Sequence, residues 1–335
     1  MTYDLFKFKF IKRSTKNIEV SSRKSEFDSI SLFSGGLDSF GGSYFLLRNG
    51  YNPLFVSVNH SKIGKVLSKL YEVLPEGSSR EITVKHAFKA AEYTQFSRSF
   101  LYLSFASAVA IAHEINKIFI PENGIIARQI GLKAGRYGTR TAHPMYLEYF
   151  NDLINSLFPE YKIKVENPFS YKTKTEIVKE IEDKERIKDT ISCGHTLDLT
   201  FIGKTKIKHC GMCIPCLIRT IALVASDLPN VDEMLNVYFN PFLDIDFSNP
   251  RKVVAKNRIM KRRYRDALAN VLDMLRLAYE LKQMSYEDIV LLYPEFLDVN
   301  VYRLYKKFAQ NLLRTVDYFS ERNPTLKLVS ERFTQ

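Results

Sequence analysis

Apolar and polar positions follow two periods along this chain. Residues 3–11 alternate: Tyr3 and Leu5 stand against Asp4, then Phe6, Phe8 and Phe10 against Lys7 and Lys9. That period of two predicts a strand with one buried face, and with Ile18-Glu19-Val20 a hairpin ahead of the core. From Ser29 onward, short apolar runs at 29–33, 54–58, 81–85, 117–121 and 162–166 predict strands. Helical periodicity separates them near 37–48, 62–74, 99–116 and 142–157, with one more helix at 174–184. Alternating units of this length predict an α/β fold, a doubly wound parallel sheet. Such sheets take ligands beyond the carboxyl ends of their strands. The segment 121–144 breaks the alternation; rich in Gly, Arg and polar residues, it predicts a long functional loop. After Cys216 only helices are expected, at 217–228, 231–238, 252–281, 286–293 and 299–320. Pro229, Pro241 and Pro250 mark a boundary. The expected division is an N-terminal strand or hairpin extension (1–28), a catalytic α/β domain (29–226) and a helical C-terminal extension (227–335).

Composition adds limits. At 335 residues and 45% hydrophobic, the chain can bury one large core or two modest ones. The longest apolar stretch, Leu101 to Ala112, contains serines and is too short to span a bilayer. The N-terminus alternates charge and Phe instead of presenting a secretory h-region. A soluble, cytoplasmic protein with no membrane partner is expected. The net charge of +12 favours an anionic partner: nucleotide, nucleic acid or an acidic protein surface. Residues 1–24 hold seven Lys/Arg, and residues 251–265 hold eight with no acid. Each is either a solvated face or a contact for RNA or protein.

The first chemical motif is Ser34-Gly35-Gly36-Leu37-Asp38-Ser39, set between a predicted strand and a predicted helix. Glycines let the backbone approach an anion. Free N–H groups at a helix start, with the dipole behind them, point at negative charge. Ser34 and Ser39 add hydroxyls. Asp38 suits the dipole, and beside a bound nucleotide it is placed for magnesium. The bland alternative is an ordinary strand–helix turn. No Gly-Lys-Ser/Thr follows, so this is no Walker A loop, and GxGxxG is absent.

The second motif is cysteine. Cys193, Cys210, Cys213 and Cys216 fall within 24 residues, spaced C-x16-C-x2-C-x2-C. Four clustered thiols make a tetrahedral set for zinc, and a closed four-sulfur shell is structural. Gly211 and Pro215 lie where such a knuckle turns. His195 and His209 are substitute ligands, and redox chemistry at Cys213/Cys216 is the rival.

The pattern SGGxDS resembles the ATP pyrophosphatase, or PP-loop, family, which grips the β,γ-pyrophosphate of ATP while AMP is transferred. Joined to Cys210-Gly211-Met212-Cys213-Ile214-Pro215-Cys216, with Arg219 three residues on, it resembles QueC, the 7-cyano-7-deazaguanine synthase family. Ser97-Arg98-Ser99 stands where that family has Gly-Arg-Asn, and Asn167-Pro168-Phe169 with Lys174-Thr175-Glu176 matches its Pro and Lys-x-Glu. The resemblance covers about residues 28–226. Pro121-Glu122-Asn123-Gly124 and Thr139-Arg140-Thr141-Ala142-His143-Pro144 look more like the QueC-like proteins of anti-phage operons, the Qat and CBASS-associated branch. The N-terminal hairpin and the region after 226 have no counterpart in the housekeeping enzyme.

The resemblance implies an adenine nucleotide alpha hydrolase-like (HUP) fold. It implies ATP, Mg2+ and Zn2+ as cofactors and a deazapurine carboxylate as substrate. The carboxylate is adenylated, then forms an amide with ammonia or with a protein amine from the same operon. ATP falls to Ser34, Gly35, Gly36, Leu37, Asp38 and Ser39, with His60 beside the adenine; Asp38, Ser39, Arg98 and Lys174 are the catalytic set. Arg98 and Lys174 balance phosphate or carboxylate. Arg136, Arg140 and His143 clamp the carboxylate or cover the site. Glu122 or Asn123 reads the amino edge of the base. The alternatives are a tRNA-modifying PP-loop enzyme and a non-catalytic nucleotide-binding scaffold of a defence complex. The implied chemistry requires no side-chain nucleophile, which fits the lack of a convincing Ser/His/Asp or Cys/His arrangement.

Overall fold

The computed structural model describes residues 26–59, 64–74, 81–85, 98–132, 142–194, 209–238, 242–244 and 258–334. The basic segment 1–24 and the first residues of 251–265 lie outside them, as do His60, Arg136, Arg140 and His195.

Five short strands build one sheet: β1 (Ser29–Leu32), β2 (Pro53–Asn59), β3 (Glu81–Lys85), β4 (Lys117–Phe119) and β5 (Lys164–Glu166). Their order is β3-β2-β1-β4-β5, and every pairing is parallel. Helices follow the strands: α1 (Leu37–Arg48), α2 (Gly64–Tyr71), α3 (Arg98–Ala112), α4 (Gly124–Arg128), α5 (Pro144–Leu157) and α6 (Lys174–Glu180). Then come α7 (Ile214–Ala225), α8 (Val231–Leu235), α9 (Arg258–Gln283), α10 (Tyr286–Leu292), α11 (Val299–Ser320) and α12 (Pro324–Thr334).

The sheet is covered on both faces, as parallel sheets must be. On one face α3 and α5 pack over Ile30, Leu54, Val56, Ile118 and Val165. On the other a single core runs from Phe33 and Phe40 through α6 and α7 to Leu304, Leu312 and Phe319 of α11. The C-terminal helices therefore share their core with the α/β unit. Among the described residues no helix is long and apolar enough to cross a membrane.

Two expectations need correction. The segment 121–144 is not one loop: Asn123 caps α4, its side chain accepting from the Ile126 amide at 3.1 Å. Pro215 does not turn the cysteine knuckle; it sits in the first turn of α7, where proline's missing N–H costs nothing.

Chain order places the site. β1 leads through α1 to β2 on one side, while its other neighbour is β4. The order reverses between β1 and β4, and the loops leaving their carboxyl ends face each other there, the usual ligand crevice of such sheets.

Candidate nucleotide site and four-cysteine centre

The loop after β1 turns at Gly35, whose φ of +72° is left-handed. Gly36 then caps α1 in an extended conformation and offers no side-chain cap of its own. Hydroxyls fill the turn. The Ser34 amide donates to Ser39 Oγ at 3.2 Å, the Gly36 amide to Ser34 Oγ at 3.3 Å, and the two hydroxyls lie 3.2 Å apart. Ser34 is exposed and Ser39 buried. Donors and hydroxyls thus converge at the positive end of α1 and favour an anion.

Asp38 points inward from the first turn of α1. Lys174, the first residue of α6, meets its Oδ1 at 2.7 Å, with only 3% of the lysine side chain exposed. The Asn123 side chain donates to Asp38 Oδ2 at 2.8 Å and its backbone amide at 3.3 Å. Asn123 also donates to Glu122 Oε1 at 3.1 Å. Burial opposes the Asp38 charge, but Lys174 and hydrogen bonds from Glu122, Lys174 and Asn123 outweigh it and hold the carboxyl below its ordinary value. Burial and then the Asp38 charge push Glu122 well above the usual carboxylate range. Glu122 therefore keeps its proton to higher pH than a free carboxyl would, and Asp38 is the charge that faces Lys174.

This arrangement is made by close approach of elements. A Cβ on Gly41 would stand 2.4 Å from Ile177 of α6, and one on Gly42 2.5 Å from Pro121. Only glycines let α1 come that near both partners of Asp38. Thr173 starts α6 with a capping box: its hydroxyl accepts from the Glu176 amide, and Glu176 accepts from the Thr173 amide. That fixes the turn carrying Lys174.

The expected residues divide. Asp38, Ser39, Lys174, Glu122 and Asn123 come together, with Ser34, Gly35, Gly36 and Leu37 around the anion loop. Arg98 does not join them: it is exposed at the start of α3, beside Tyr102. His143 is half-buried at the N-cap of α5. Asp38, the residue expected at magnesium, is engaged by Lys174 at Oδ1 and by Asn123 at Oδ2.

The four cysteine sulfurs lie within 4.8 Å of one another. Zn–S bonds of about 2.3 Å in a tetrahedron require sulfurs roughly 3.8 Å apart, and Cys210 and Cys216 stand at 3.8 Å. Gly211, at φ +77°, turns the knuckle. Amides of Cys210, Met212 and Cys213 donate to the sulfurs of Cys193 or Cys210 at 3.3–3.4 Å. Hydrogen bonds from Cys193, Cys213 and Cys216 pull Cys210 well below the usual thiol range. The donor set fits zinc. His209 is no substitute ligand here: its Nε2 accepts from the Ser192 amide at 3.2 Å, and its ring stacks on Tyr238 at 4.8 Å.

Sequence reasoning missed how the two motifs touch. The Ile191 amide donates to Gly35 O at 2.8 Å, and the Leu37 amide to Ser192 Oγ at 3.3 Å. Arg219 of α7, wholly buried, donates to Thr190 Oγ1 at 2.6 Å, Ile187 O at 2.7 Å and Ser192 Oγ at 3.3 Å. The segment that carries Cys193 thus abuts the anion loop. The Arg219 signal was its spacing after Cys216; its partners are remote in sequence.

Residues 78–227 match the family model described as Queuosine biosynthesis protein QueC. A comparison with curated proteins finds no match to the chain. The matched residues hold Lys174, the four cysteines and Arg219, and stop short of the anion loop on one side and the C-terminal helices on the other. Over residues 78–227, which carry the last three strands of the sheet and the four-cysteine knuckle, the chain is similar to QueC.

Proposed function

We propose that this protein uses ATP to adenylate a deazapurine carboxylate, 7-carboxy-7-deazaguanine or a close relative, and then forms an amide. The observation that carries the reading is the meeting of the Ser34–Ser39 loop with the Asp38–Lys174 pair at the sheet's switch point. The substrate carboxylate attacks the α-phosphorus and pyrophosphate leaves, held by Ser34, Gly35, Gly36, Ser39 and the start of α1. An amine then attacks the acyl-adenylate, loses a proton, and AMP departs. Lys174 orients Asp38 beside the reacting phosphate. Glu122, beside Asn123 and Asp38, reads the amino edge of the base through its carboxyl oxygens. The Asn123 amide is spent on Asp38 and Glu122 and on capping α4, so it supports these carboxyls instead of the base. Magnesium enters as the counter-ion of the nucleotide phosphates. Zinc at Cys193, Cys210, Cys213 and Cys216 supplies structure.

Two acceptors fit. Ammonia leads toward 7-cyano-7-deazaguanine; a protein amine gives a conjugate, as in anti-phage defence. The extension beyond the family match, packed behind the site, favours the protein amine. Thiolation of tRNA is disfavoured, because all four cysteines of the chain converge on one cluster and none is left for persulfide chemistry.

The test is AMP and pyrophosphate release from ATP with and without 7-carboxy-7-deazaguanine, in wild type and Asp38→Asn. Acid-dependent AMP, abolished in the variant, is expected. ATP binding with no AMP formed would overturn the reading in favour of a scaffold.

A further inference from the structure

Three hydroxyls stand at the start of α1. Ser34 and Ser39 belong to the loop; the third, Ser192, comes from 155 residues beyond Leu37, immediately before Cys193. Its bonding is specific. A hydroxyl has two lone pairs and one hydrogen. Ser192 Oγ accepts from the Leu37 amide and from Arg219 Nη1, each at 3.3 Å. Both lone pairs are then taken, and the hydrogen is left to donate. Among the described residues no acceptor for it is found. Ser192 is half-buried, so a ligand can reach it.

The charge around it has the same sense. Arg219 is 0% exposed, and among the described residues its hydrogen bonds go to Thr190, Ser192 and Ile187, all neutral acceptors. Its Nε is buried with no hydrogen-bond partner among the described residues. Among the described residues no carboxylate pairs with this buried cation, so its field is favourable to an anion held at Ser192. The dipole of α1 adds to the same field. The segment is also held in place: Ile191 N–H bonds Gly35 O, and Ser192 N–H bonds His209 Nε2.

We propose that Ser192 is a third hydroxyl donor to the pyrophosphate end of ATP, oriented by Arg219 as a positioning residue. The four-cysteine segment is then a wall of the nucleotide site, and its metal shapes that wall. This rests on the PP-loop reading above.

The experiment is calorimetric titration of the full chain, with its metal, by inorganic pyrophosphate, ATP and AMP. Ser192→Ala should lose at least about tenfold in affinity for pyrophosphate and ATP, since a hydrogen bond to a charged group is removed. AMP affinity and metal content should not change, and Ser192→Thr, which keeps the hydroxyl, should bind like wild type. Arg219→Lys should weaken pyrophosphate binding, and the Ser192→Ala/Arg219→Lys double variant should lose little more than Ser192→Ala alone. Wild-type affinity in Ser192→Ala, or equal losses in Ser192→Ala and Ser192→Thr, would overturn the role of Ser192. Additive losses in the double variant would overturn that of Arg219. A wild-type chain that binds neither pyrophosphate nor ATP would overturn the PP-loop reading itself, a distinct result.

Discussion

A lysine with 3% of its side chain exposed is tolerable only beside an anion, and Lys174 has Asp38 at 2.7 Å. Removing one partner strands the other. Lys174→Ala should cost about 3–5 kcal/mol in urea unfolding, because Asp38 is left buried and unpaired. Asp38→Asn with Lys174→Met should recover much of that loss and still form no AMP. Glu122 gives a pH signature. Its folded pKa is raised above the ordinary 4.5, so the unfolded chain gives up this proton first. Its contribution is complete below that value and is lost as pH rises toward the folded value. Asp38 has the opposite sign: its contribution is present above its ordinary 3.8 and lost as pH falls below. Glu122→Gln should flatten the decline of melting temperature with rising pH and raise it near pH 7, while leaving the acid limb in place. The local motifs, SGGLDS and the cysteine spacing, were legible in the sequence. The Asp38–Lys174 pair was not, because 136 positions separate its members and no short period links them. Ser192 carried no signal of its own.

At the scale of elements, the strands and most helices were legible, since each carries its own period and its own stop. The short α4 escaped notice, as five residues are too few to display a helical face. Its capping asparagine was instead considered for substrate. Gly124, the first residue of α4, shows how tightly that turn is held. A Cβ there would lie 2.3 Å from Ser170 O and 2.6 Å from Leu304 Cδ2. Backbone cannot yield as a side chain can, so Gly124→Ala should destabilise by roughly 1–3 kcal/mol, seen as a lower melting temperature. The last helix, α12, was also missed; it starts at Pro324, past the end of the periodic stretch read in α11.

The whole molecule is organised by α11. Tyr305 Oη accepts from the Ile130 amide just after α4 at 2.9 Å, Asn311 donates to Thr175 of α6 at 3.0 Å, and Lys307 pairs with Glu176 at 2.6 Å. Thr315 Oγ1, which donates to Asn311 O at 2.7 Å, lies 3.5 Å from Ile221 O of α7. One helix thus backs the three elements that present Asn123, Lys174 and Arg219. A chain ended after Ser226 should show no cooperative urea transition by circular dichroism, because α7 would lose the side chains that cover Leu217 and Ile221. Cys216→Ser should lose bound zinc by metal analysis and melt at lower temperature. None of this was legible from periodicity, which shows that helices form and not which faces they share.

The contact between Gly124 and Leu304 has a meaning for descent. A helix added late to a finished enzyme would rest on whatever surface it found; here a glycine hydrogen in one segment and a leucine methyl in the other fill the same space. The Ser170 carbonyl bars a side chain at 124 whatever stands at 304, so glycine is a condition of this seam and not one half of an exchange. Chimaeras that graft the last third of this chain onto a shorter relative should then fail at residue 124, unless the recipient already carries glycine there.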